Sequence, residues 1–219
     1  MQFELTNEFL EILKEDIARL DSNSVSAKVG ELYPADIAEI LDEVELQEAQ
    51  FIFRLLPDEL GSDVLMELDE DVREKFLASI SDDEIADLVD ELDTDDAADI
   101  IQELPEERQE DVLEKVEDDE HIEDITELLT YAEDSAGGLM AKELVKVNLN
   151  WTLLRCVREM RKQAEEVDKV FTVYVVDDED TLLGIVSIKK MLLNTERTLI
   201  KDIYRENAIA VTADMTAEE

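Results

Sequence analysis

The chain has 219 residues, 45% of them apolar, so it can bury a sizeable core, and a formal charge of -41 does not make it a disordered tail because apolar residues recur regularly even where acids are densest. Sixty-one acidic residues against 20 basic ones give a surface that repels nucleic acid and anionic membranes and attracts small cations or basic protein faces. A single cysteine, Cys156, and a single histidine, His121, exclude an internal disulfide, a Cys/His zinc site and a His-based catalytic triad.

Cys156 reads as a small buried apolar residue in a helical pattern, and His121 as a surface helix residue. No run approaches the ~20 apolar residues of a bilayer span. The longest, Val170–Val176, has the length of a strand and is interrupted by Thr172. Met1–Glu15 lacks the basic start and apolar centre of a signal peptide.

In chain order, Phe3, Phe9, Leu10, Leu13, Ile17 and Leu20 predict one face of an N-terminal helix that caps an otherwise open core. The serine-rich stretch Asp21–Ser26 predicts a break after it. An apolar residue then recurs every twelve positions: Leu32, Val44, Leu56, Leu68, Ile80, Leu92, Leu104, Val116 and Leu128. A second set three positions earlier, Leu41, Phe53, Leu65, Leu77, Val89, Ile101, Leu113 and Ile125, places both sets on one helix face. Pro57, Asp69, Ser81, Asp93 and Pro105 follow at a constant phase, with Pro34 one residue later in its unit, as helix starts do. Each unit is therefore one short helix and a turn. A helix of about nine residues is only ~13 Å long and marginal alone, so the units must stack. The pattern predicts helix pairs with a 24-residue period, coiled into a solenoid.

From Ser135–Met140 onward a Gly-Gly pair appears, acid density falls and β-branched residues cluster. Here the sequence predicts a strand at Val145–Val147, a helix at Leu153–Glu165 and a strand at Val170–Val176. A turn at Asp177–Asp180, a hairpin strand at Leu182–Ser187 and a helix at Ile188–Asn194 follow. A further strand is predicted at Ala208–Val211, and Thr212–Ala217 stops where another helix would begin.

Carboxylates are the side chains this composition offers in quantity to a hard cation such as Mg2+ or Ca2+. Asp95 and Asp99 lie four apart on one helix face, and Asp63 belongs to a ladder with Glu39, Asp87 and Asp111 at the 24-residue period. Asp95 and Asp96 also suit the start of a helix capped by Asp93 or Thr94, where the backbone dipole favours negative charge, and a solvated acidic face needs no ligand.

The repeat phase, the phrase Leu-Tyr-Pro-Ala-Asp-Ile-Ala-Glu-Ile-Leu at 32–41, Glu-Leu-Asp-Thr-Asp-Asp-Ala-Ala-Asp at 91–99 and the linker at 131–140 together resemble MgtE-type magnesium transporters. The hairpin at 173–187 resembles the core of a CBS domain, the module that follows in that family. The resemblance covers essentially the whole chain. It implies a multidomain fold: an all-α right-handed superhelical solenoid at 1–130, a linker at 131–140, a CBS-type α/β domain at 141–198, and at 199–219 the start of a second CBS domain cut short. It further implies a Mg2+-sensing cytosolic region, with no catalyst, serving a transmembrane pore that dimerises at the cell membrane. Low Mg2+ would loosen the helical domain from the CBS region, and bridging ions would compact the two and close the pore.

On the resemblance, Asp63, Asp95, Asp99 and Asp134 match acidic positions near bound ions, with Gly138 and Met140 adding backbone carbonyls. CBS domains also bind adenine nucleotides through a Ser/Thr followed three residues later by an acid. Ser187 is present here, but Lys190 stands in the acidic position. Two rival readings are an acidic helical-repeat scaffold that holds a basic partner and, less suited to scattered acids with few aromatics, a carboxylate-pair glycosidase.

Overall fold

The computed structural model describes residues 3–164, 167, 170, 172–206, 208–216 and 218. Contacts divide the chain into two compact units, Met1–Thr130 and Tyr131–Glu219.

The first unit is helical throughout: α1 (Asn7–Ala18), α2 (Ser22–Val29), α3 (Pro34–Asp42), α4 (Leu46–Phe53), α5 (Asp58–Glu67), α6 (Glu70–Leu77), α7 (Asp82–Val89), α8 (Thr94–Glu103), α9 (Glu106–Leu113) and α10 (Asp119–Leu128). From α2 to α9 every helix begins twelve residues after the one before it. Its capping position advances in step: Asp21, Tyr33, Glu45, Pro57, Asp69, Ser81, Asp93 and Pro105. Capping boxes at Glu45/Glu48 and Ser81/Glu84 satisfy amide groups that a short helix leaves open.

Alternate helices pack on one another. α3 meets α5, α5 meets α7 and α7 meets α9, while α2 meets α4 and α8 meets α10. The shared core takes Leu56, Leu68, Ile80, Leu92, Leu104, Val116 and Leu128 from the twelve-residue series, and all but Leu113 of the set three positions earlier.

The stretch Asp21–Ser26 is not a break. Asp21 Oδ1 accepts from the Ser24 amide at 3.1 Å and starts α2, so the repeat begins one unit earlier than the apolar pattern suggests. Between α1 and α2 the chain makes only a short turn at Leu20. Leu20 adopts φ 54° and is exposed, off the face assigned to it, while Phe3 stacks edge-on against Phe9 from ahead of α1. His121 is half-buried rather than on the surface, and its Nε2 lies 3.0 Å from the Val89 carbonyl oxygen.

Among the described residues the second unit contains β1 (Val145–Asn148), α11 (Leu153–Gln163), β2 (Val173–Val176), β3 (Leu182–Val186), α12 (Ile188–Leu192), a 3-10 turn (Ile200–Asp202) and β4 (Arg205–Glu206). The sheet order is β1-β2-β3-β4. β1 runs parallel to β2 through the α11 crossover, and the remaining pairs are antiparallel. Val145, Val147, Cys156, Val173, Val175 and Val186 form much of the core beneath α11. Burial pushes the Cys156 thiol up to about 11, which fits an inert apolar role.

Several predicted boundaries shift. Of the strand expected at Val170–Val176, only Val173–Val176 pairs, and Phe171 lies outside the described residues. The helix expected to reach Glu165 is described to Gln163, and that at Ile188–Asn194 ends at Leu192. Glu165 and Ala217 lie outside the described residues. Ala208–Val211 is not a strand. The fourth strand is Arg205–Glu206 on Gly184 and Ile185, while Ile209 and Val211 stay exposed without a sheet partner.

Candidate metal centre and nucleotide site

α8 opens with Asp95 and Asp96 in its first turn and carries Asp99 one turn later, after Asp93 at the capping position. The helix buries Ala97, Ala98, Ile100 and Ile101, so this apolar stripe fixes where its acids emerge. Asp95 is half-buried and Asp99 exposed.

Asp96, read from the sequence only as a helix-opening acid beside Asp95, is a strongly perturbed carboxyl of this face. Burial first, then repulsion from Asp95, Asp93 and Asp99, pushes its carboxyl up to about 6, and Arg73 only partly offsets this. A signal was available in the sequence. Asp96 lies four residues before Ile100 and eight before Leu104, at the edge of the apolar stripe.

Arg73, on α6, supplies the nearest positive charge. It donates from Nε to Glu103 Oε2 at 2.9 Å, pairs with Glu103 through its second nitrogen as well, and reaches the Met66 carbonyl. The bond to Glu103, ahead of the charges of Glu103, Asp99 and Glu70, holds its pKa above the ordinary value. One guanidinium thus faces several carboxylates.

Asp63 is exposed on α5. Its ladder partners Glu39, Asp87 and Asp111 are likewise exposed, on α3, α7 and α9, which pack in succession. Among the described residues, no three His, Cys, Asp or Glu side chains converge closely enough to hold a metal ion by themselves.

Asp134, Gly138 and Met140 belong to the second unit. Asp134 is exposed. The Gly138 amide donates to Ser135 Oγ at 3.1 Å, and Ser135 Oγ donates to the Ala132 carbonyl at 2.6 Å. The amides of Ala136 and Gly137 donate to the carbonyls of Met215 and Ala213 at 2.7 and 2.8 Å, so the closing segment holds this turn. A side chain at 137 would meet the Tyr131 ring at 2.5 Å, which requires glycine there.

At the nucleotide motif, Ser187 Oγ caps α12 by accepting from the Lys190 amide at 3.2 Å. The Lys190 ammonium donates to the Ile203 carbonyl at 3.1 Å. Lys190 thus ties α12 to the segment before β4.

Residues 32–134 match the family profile described as the MgtE intracellular N domain, and residues 136–194 match that of the CBS domain. Residues 32–134 are thus an MgtE-type N domain, and residues 136–194 a CBS domain. The magnesium transporter MgtE of Thermus thermophilus is 27% identical over 209 residues, which is 94% of this chain and 46% of that protein. The MgtE of Enterococcus faecalis is 36% identical over 92 residues, 42% of this chain and 20% of that one. The chain therefore spans less than half the length of these relatives.

Two solved structures share the architecture. The cytosolic domain of the Mg2+ channel MgtE in complex with ATP gives a TM-score of 0.87 at 25% identity, covering 95% of this chain and 85% of that one. The soluble part of a magnesium transporter gives 0.81 at 26% identity, covering 96% and 83%. Among the described residues, no helix is long and apolar enough to cross a membrane. In the MgtE-type N domain the α8 acids stand on the α8–α10 stack, and in the CBS unit the Asp134 turn precedes β1.

Proposed function

We propose that the chain is the Mg2+-sensing cytosolic region of a magnesium transporter, lying at the cytoplasmic face of the membrane and acting on a pore in a homodimeric full-length protein. The observation that carries this reading is α8, where Asp93, Asp95, Asp96 and Asp99 crowd into two turns with Arg73 as the nearby cation. Such a face is strained by its own repulsion, and a divalent ion relieves it. The names of the MgtE relatives and the matched solved domains support Mg2+ as that ion.

Asp63, Asp95 and Asp99 of the N domain, with Asp134 and the carbonyls of Gly138 and Met140 in the CBS unit, are the proposed ligands. Ions shared between the two acidic faces favour the compact arrangement over the open one, and this difference in affinity works the switch. Compaction would hold the pore closed. The ATP in the solved relative makes an adenine nucleotide a second ligand to test on the CBS unit. Here Lys190 stands where the ribose-holding acid would be, and its ammonium donates to the Ile203 carbonyl, so ribose recognition would lack that acid.

Solution X-ray scattering across a Mg2+ titration at constant ionic strength, with K+ as control, tests the proposal. The expected result is Mg2+-specific compaction that weakens in D95A/D99A. Unchanged compaction in that variant removes α8 from the site, and an equal response to K+ removes the sensor reading.

A further inference from the structure

The 24-residue repeat is irregular in the column that holds Gly61. Ile37 in α3 and Ile85 in α7 are fully buried, yet the equivalent residue in α5 is Gly61. Phe53 of α4 compensates in part. It replaces the smaller Leu77 and Ile101 of the later repeats, and its Cζ would lie 3.3 Å from a Cβ at position 61.

The exchange leaves a cavity of about 180 Å3 outside the Phe53 ring. Its floor is apolar: Phe53 and Phe76, tilted at 4.6 Å between centroids, with Leu56, Ile80 and Leu88. An apolar cavity of ~150 Å3 is enough to admit benzene. The rim has the opposite character. Asp58, Glu84 and Asp87 line it, and its single cation, Arg54, donates from Nε to Glu84 Oε1 at 3.1 Å. Asp58 and Asp87 are exposed, and neither carboxylate has an ion-pair partner among the described residues.

We propose that this cavity is a docking site for a large apolar side chain carried on a lysine- or arginine-rich segment of another protein. Charge selects the occupant. An apolar anchor fills the ring-lined floor while flanking cations meet Asp58 and Asp87, in a unit whose 130 residues hold 44 acids and 8 bases. The proposal is independent of the magnesium reading, since none of these residues is among the proposed metal ligands.

The test uses the 219-residue chain and three labelled peptides followed by fluorescence anisotropy: Lys-Lys-Phe-Lys-Lys, penta-lysine and Glu-Glu-Phe-Glu-Glu. The first is expected to bind about tenfold or more tighter than either control, because only it supplies both anchor and charge. Its binding should perturb the methyl resonances of Leu56, Ile80 and Leu88, fall about fivefold in D58N/D87N, and disappear in I80F, which puts a ring into the cavity. Equal binding of penta-lysine, or unperturbed methyl groups, means a diffuse acidic surface and overturns the proposal. If I80F fails to fold, the methyl shifts of the native chain and the D58N/D87N response decide the matter.

Discussion

Residues 1–130 carry 44 acidic and 8 basic side chains, whereas residues 131–219 carry 17 and 12. The two units use their cations differently. In the helical unit five of the eight basic side chains act as staples between helices, while Arg19 pairs with Glu15 along α1. Lys28 binds Asp16 at 2.6 Å, Arg54 binds Glu84, Arg73 binds Glu103, Arg108 binds Asp82, and Lys115 binds Asp83. In the CBS unit two ion pairs among the described residues are peripheral: Lys162 pairs with Glu159 one turn away on α11, and Lys146 with the hairpin-turn residue Asp180. The core there is sealed by the sheet and its valines instead. A short-helix repeat has no backbone hydrogen bonds between its helices, so side chains must supply the directional links that a sheet gets from its main chain.

Breaking a staple should therefore cost more than breaking a peripheral pair. Arg108 donates to Asp82 at 2.7 Å and to the carbonyls of Leu77 and Ile80 at 2.9 Å each, closing the end of α6. R108A leaves these acceptors unmatched and should lower unfolding free energy by about 2–3 kcal/mol in urea titrations. K162A, at an exposed pair, should change it by less than about 0.5 kcal/mol. Equal effects would erase the contrast.

A smaller effect sharpens the comparison from the acid side. The native fold holds Asp96 at about 6, above its ordinary 3.8. Between those values the folded chain binds more protons than the unfolded chain, so this carboxyl costs stability above pH 6, and the cost disappears as pH falls below both values. D96N should raise stability by on the order of 2 kcal/mol near pH 7.5 and have almost no effect near pH 4, measured by thermal melts at both. The smallest effect belongs to the CBS core. The Cys156 thiol, fully buried and held up to about 11, should resist alkylation at pH 8 until the unit unfolds, as followed by mass spectrometry.

How far the sequence could be read also differs between the units. The twelve-residue beat is carried by Leu, Val, Ile and Phe at fixed phase, so the stacked helices were legible from α3 onward. α2 was not, because its three serines and single Asp resemble a loop. In the fold Asp21 caps the helix and Val25 and Val29 alone bury it. In the second unit, Ala208–Val211 has the residue types of a strand but no neighbouring strand to bond, and strand formation depends on that neighbour. Of the site, spacing pointed to Asp63, Asp95 and Asp99. The raised pKa of Asp96 depends on how deeply α8 sits and on Arg73 arriving from α6, which spacing along one helix does not report.

The constant interval between helix starts makes length itself a constraint. Removing Asp58–Ser81, one 24-residue period, would bring Pro57 directly before Asp82, so a proline that caps α5 would cap α7 instead and every later helix would keep its side of the stack. Removing only twelve would exchange the two rows of helices from that point on. Insertions and deletions that preserve the fold should therefore come in twenty-fours, much as a gene tolerates changes in threes.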